Sequence, residues 1–177
     1  MLIILIIVIS ACQQQNEISN PNGIFSKTDL LELNSIVNDF DKILMTEYKT
    51  DSKTKAYKEY SKQVNDEMRI PIPDGIEKLG KEVMTLGVFN KIWWKYDYST
   101  GNSGNFNIDP KSEYLTYLKV KGENSELIKR YADKYSSVSD IQPSIIAEFA
   151  RNIESQNLED KNIRLIFTIH YLTLINR

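Results

Sequence analysis

His170 is the single histidine among 177 residues, so any imidazole metal site or Ser-His pair has to be assembled around it. The sequence offers it no help. There is no second histidine at helical spacing, no His-Glu-x-x-His and no Gly-x-Ser-x-Gly. On a strongly apolar segment a lone histidine reads as a hydrogen-bonded core residue. Asn105, Asn107 and Asp109 alternate as the oxygen ligands of a calcium loop do, but Pro110 stands where such a loop needs glycine. Thr116 stands where a bidentate glutamate should close it. That stretch therefore reads as an Asn-rich loop ending in an aspartate helix cap. Glu47, Asp51, Glu59, Asp66, Glu67, Glu77 and Glu82 lie mostly opposite the apolar positions, as on a solvated helix face. No pair of carboxylates is singled out for acid-base work, and no catalytic residue, metal or cofactor is expected.

Aromatic residues carry more information. Trp93, Trp94, Tyr96 and Tyr98 form the densest aromatic stretch and adjoin a Gly- and Asn-rich segment over 99–107. Aromatic faces beside an adaptable polar loop provide large contact area at low entropic cost, which suits a sugar ring or a protein partner. These four residues are the candidate binding surface. Adjacent Trp93 and Trp94 point in different directions on a helix or a strand, so at least one of them belongs to the core.

The chain opens with an apolar run from Met1 to Ile9, followed by Ser10, Ala11 and Cys12, the single cysteine. As a helix this run extends roughly 15 Å, about half the hydrocarbon thickness of a bilayer. It suits the apolar region of a secretory signal. Ile9-Ser10-Ala11-Cys12 resembles the lipobox of bacterial lipoproteins: aliphatic, small, small, cysteine. The resemblance covers only the leader. It implies that the Cys12 sulfur takes a diacylglyceryl group and that residues 1–11 are cut away as a signal peptide. Cys12 then becomes the acylated, palmitate-bearing first residue, and more than one acyl chain gives stable anchoring. The leader departs from the pattern in having no Lys or Arg before Cys12, which is expected if the true start lies upstream or if this leader is truncated.

Removing residues 1–11 of the 177 leaves about 166, enough for one domain with a real core. The formal net charge of −2 lacks the basic excess that nucleic-acid binding calls for. With Cys12 acylated, no thiol remains for a disulfide. Residues 13–25 are polar and turn-rich and read as a flexible tether. The domain is expected over 26–177.

Helical periodicity dominates that domain. Ser26 to Asp29 has the look of a helix start, followed by Leu30, Leu33, Ile36, Val37, Phe40, Ile43, Leu44 and Tyr48 at steps of three and four. Ser52 caps a second helix with Ala56, Tyr57, Tyr60, Val64 and Met68 on one face, stopped by Pro71 and Pro73. Ile76, Leu79, Gly80, Val83 and Met84 mark a third, which either continues through Phe89, Ile92, Trp93 and Tyr96 or gives way to a short strand over 93–98, with a minor β-hairpin near 92–108; Ser99 to Asn107 is the clearest loop. Asp109-Pro110 is expected to start the next helix, which Gly122 ends. Leu127, Ile128, Tyr131 and Tyr135 form a fifth face, and Ile145, Ile146, Phe149 and Ile153 a sixth. Ile163 to Ile175 is apolar around most of its circumference, the pattern expected of a buried central helix, with its Ile content leaving a buried strand as the alternative.

The expected architecture is an all-α bundle of six or seven helices, lipid-anchored in the bacterial cell envelope and facing the periplasm or the exterior. Its favoured role is non-catalytic: a binding or interaction domain for one envelope protein or a small polar ligand. Two alternatives stand beside it. One is an immunity or inhibitor lipoprotein neutralising a protein toxin or enzyme, and the other is an enzyme acting on an envelope polysaccharide through unidentified carboxylates.

Overall fold

Ser26 opens the first helix by a reciprocal capping box. Its Oγ accepts from the Asp29 N–H at 3.2 Å, and the Asp29 carboxylate accepts the Ser26 N–H at 2.7 Å. The computed structural model describes residues 17–95, 106–138 and 143–176. Helix α1 (Lys27–Glu47) turns Leu33, Ile36, Val37, Phe40 and Leu44 inward. Ser52 caps α2 (Lys53–Glu67), which buries Ala56, Tyr57, Tyr60 and Val64. Gly75, at φ 89° where a side chain would be strained, precedes α3 (Ile76–Val83). A 3-10 turn (Gly87–Lys91) leads into a two-stranded antiparallel ribbon, β1 (Trp93–Lys95) with β2 (Phe106–Ile108), in the register Trp93↔Ile108.

Then follow α4 (Glu113–Gly122), α5 (Glu126–Val138), α6 (Pro143–Asn152) and α7 (Lys161–Ile175). The fold is therefore an all-α bundle with seven α-helices among the described residues and a minor β-hairpin. At Gly122 a Cβ would come within 2.9 Å of the Lys129 Cα, so the missing side chain is what lets α5 fold back against α4. Helix α7 is buried at every position from Lys161 to Thr173 except Ile163. Its neighbours cover it on all sides, as its all-round apolar sequence requires. Phe167 alone meets Phe40, Tyr57, Tyr60, Phe149 and Tyr171.

Four local expectations give way to tertiary contacts. Residues 17–25 do not hang free. Ile18 and Phe25 are core residues, and Asn20 clamps Phe25 by accepting its N–H at 2.9 Å and donating to its carbonyl at 2.7 Å. Met68 leaves the apolar face of α2, since the chain turns left-handed there (φ 51°) and 91% of the residue is exposed. Phe106 and Asn107 are strand rather than loop, because pairing with β1 buries both. Asp109 caps a turn instead of a helix, accepting the Lys111 N–H, and Ser112 is the cap of α4. Serine wins because its Oγ reaches the Leu115 N–H at 3.2 Å.

Candidate functional site

The aromatic candidates are divided by the pleat of the ribbon. Successive side chains on a strand point to opposite faces. Trp93 turns inward, 1% exposed, against Phe89 and Phe106, with its indole N–H donating to Thr173 Oγ1 at 2.7 Å. Trp94 turns outward and is 39% exposed. Tyr96, Tyr98 and the candidate lipidation residue Cys12 lie outside the described residues. Of this surface, the described part consists of Trp94 alone.

His170 sits in the core. Its Nδ1 shares a hydrogen bond of 3.0 Å with the Tyr131 hydroxyl, its ring stacks on Phe149 at 4.5 Å, and its Nε2 has no hydrogen-bond partner among the described residues. Burial holds its pKa down to about 3, so the ring is neutral at ordinary pH. Asn107 is also buried, and its Oδ1 accepts the N–H of Ile108. Among the described residues no three His, Cys, Asp or Glu side chains gather as metal ligands do.

A buried charge cluster was not singled out by sequence pattern. Asp41 on α1 and Arg164 on α7 are 2% and 1% exposed, with Arg164 Nε 3.2 Å from Asp41 Oδ1. Tyr57 on α2 donates its hydroxyl to the same carboxylate oxygen at 2.7 Å. The Arg164 terminal nitrogen donates to the carbonyls of Leu158 and Glu159. Lys53 lies 3.6 Å from the second carboxylate oxygen. Burial pushes the Tyr57 hydroxyl well above its usual range and the Asp41 charge adds to it, so Tyr57 remains a donor. Burial also lowers the Lys161 ammonium, against the pull of Asp41 in the other direction. The arrangement ties three helices together. Its sequence signals were an aspartate directly after Phe40 in an apolar stripe and an arginine inside the most apolar helix.

An apolar cleft of about 370 Å³ opens elsewhere, between the end of α2 and the outer face of α6, a volume suited to a small ligand. Its formation follows from the way α2 stops. Pro71 and Pro73 forbid further helix, the left-handed Met68 swings the chain aside, and the Tyr60 hydroxyl fixes the Pro71 carbonyl at 3.0 Å. Ile70 is thereby held as one wall beside Val64, while Ile146 and Ala150 of α6 form the other. Arg69 and Arg151 also line the cleft. Arg69 is tied to Glu67, whose carboxyl is lowered chiefly by that bond. Among the described residues Arg151 hydrogen-bonds through its Nε alone, to the carbonyl of Ala147 at 3.1 Å.

The cleft lies far from the point where the N-terminal segment joins the bundle. Ser19 is bound to Asn162, in the first turn of α7. Helices α2 and α7 advance in the same sense: Thr54 reaches Glu159, Tyr57 meets Thr168 and Tyr60 meets Tyr171. Nine residues from Asn162 to Tyr171, then one or two further turns of α2 to Val64 and Met68, place the cleft about 20 Å along the bundle from Ser19. Comparison with protein-family models, with curated proteins and with solved structures finds no match to this chain.

Proposed function

We propose that this chain is a lipoprotein of the bacterial cell envelope, anchored through acylated Cys12, whose domain is a non-catalytic binding module working through the α2–α6 cleft. The anchor rests on Ile9-Ser10-Ala11-Cys12. The binding reading rests on one observation: the apolar cleft lies at the end of the bundle opposite Ser19. The seven Cα steps from Cys12 to Ser19 reach at most about 25 Å. A domain held so closely by that end would turn its far end, with the cleft, away from the bilayer and toward ligands or partners. The candidate acid-base group His170 supports a non-catalytic role, since it is enclosed and held neutral.

The test of the anchor is intact mass and membrane partitioning in a bacterial host, comparing the chain bearing its native leader with Cys12→Ser. The expected outcome is cleavage before Cys12, added acyl mass and sedimentation with membranes, all lost in the variant. Identical behaviour of the two proteins would overturn the anchor and require residues 1–12 to be reread as part of the fold.

A further inference from the structure

We infer that the α2–α6 cleft takes an amphipathic anion, specifically a fatty-acid carboxylate, with its acyl chain along the apolar walls and its head group at Arg151. This assignment rests on the binding reading above and adds the chemistry of the ligand. Three observations carry it.

The walls are apolar and leave room. Val64, Ile70 and Ile146 present aliphatic surface, and the short side chains of Ala147 and Ala150 leave a slot between the helices. Every methylene that leaves water for such walls favours the bound chain, which makes a slot of this kind selective for chain over compact polar solutes.

The rim is cationic. Among the described residues the terminal nitrogens of Arg151 make no hydrogen bond, since its Nε alone donates, to the Ala147 carbonyl; Glu148, one turn back, feels its charge but is itself paired with Lys134 and Arg130. A guanidinium fork matches a carboxylate in two parallel hydrogen bonds. Arg69, balanced by Glu67, adds donors without adding net charge. A neutral or cationic head group would leave the Arg151 donors unmatched or face repulsion.

The mouth is built from an exposed, adaptable apolar residue. Met68 is 91% exposed at φ 51°, a backbone region that strains any residue bearing a side chain. Its flexible thioether side chain can fold over an apolar guest.

The test uses the full chain in lipid nanodiscs, with methyl NMR of Met68, Ile146 and Ala150 during titration by decanoate, decanol and decyltrimethylammonium, against empty nanodiscs. Decanoate is expected to shift these methyls saturably, with decanol about tenfold weaker and the ammonium weaker still. Ala147→Trp, at an exposed position, should fill the slot and abolish the response, and Arg151→Glu should weaken decanoate about tenfold without altering the melting temperature. Decanol or the ammonium binding the cleft as tightly as decanoate would overturn the anion assignment while leaving the cleft a binding site. If no probe moves the cleft methyls beyond the uptake seen with empty nanodiscs, the assignment and the binding reading both fall.

Discussion

Helix α2 handles charge in opposite ways at its two ends. Near its start, Tyr57 and Lys53 surround Asp41 and Arg164, which are closed off from water. Near its end, Arg69 and Arg151 stand on the rim of an apolar slot. An enclosed charge has to be matched by groups the fold itself supplies, because its desolvation cost is otherwise uncompensated. A rim charge is matched by water until a ligand arrives. The first arrangement fixes how α1, α2 and α7 sit together. The second leaves donors facing solvent, and the difference separates the part of the molecule that holds shape from the part to which the proposal assigns binding.

That contrast can be broken first at Asp41. Asp41→Ala leaves Arg164 buried without its counter-charge and should cost about 3–5 kcal/mol in denaturant unfolding. The double change Asp41→Leu with Arg164→Met should recover most of this, since it removes both charges. A loss under 1 kcal/mol for the single variant would mean that the cluster is not holding the helices.

His170 sharpens the same point by pH. Its folded pKa is about 3 against an ordinary 6.5, so the neutral ring contributes its full stability above pH 6.5. The unfolded chain binds a proton below that value and the folded chain does not, so stability falls continuously toward pH 3. The loss there should be about 4 kcal/mol. His170→Phe should flatten this part of the profile in urea titrations between pH 7 and 3, and an unchanged slope would assign the acid sensitivity to other groups.

Trp93 tests whether the ribbon belongs with the enclosed region. Trp93→Phe removes the hydrogen bond to Thr173 and part of a buried ring, and should cost about 2 kcal/mol in thermal melts. Trp94→Phe on the outer face, where the ring is 39% exposed, should cost clearly less, about 1 kcal/mol or under. Equal effects from the two would contradict the division of the ribbon into an inner and an outer face.

The smallest effects belong to the rim. Arg69→Gln and Arg151→Gln should each stay within about 0.5 kcal/mol of the parent. Met68→Gly relieves the left-handed backbone and should raise stability by roughly 0.5–1 kcal/mol. A gain of that size accompanied by weaker decanoate binding would mark Met68 as kept for the cleft rather than for the fold.

Helix α7 and the inward faces of α1 and α2 were legible because each is written in neighbouring residues. Ser26 and Ser52 announce helix starts by side-chain bonds three residues on, and Leu33, Ile36, Val37 and Phe40 repeat at the helical period. The ribbon was half legible, since aromatic residues in 92–98 allow strand or helix and only pairing with Phe106–Ile108 decides between them. The candidate site was scarcely legible. Trp93 and Trp94 look alike in sequence, and the pleat alone sends one inward.

By itself the sequence determined the all-α class, a count of six or seven helices, the burial of the last apolar segment and the lipobox-like run ending at Cys12. Period, capping and composition are properties of residues close in the chain. Only the tertiary structure decided that Ile18 and Phe25 are core, that Asp41 meets Arg164, that Met68 turns outward, and that Val64 and Ile70 face Ile146 and Ala150 across a cleft. Each of these depends on groups far apart in sequence, or on which direction lowers the cost of burying a polar group, and no local pattern records that balance.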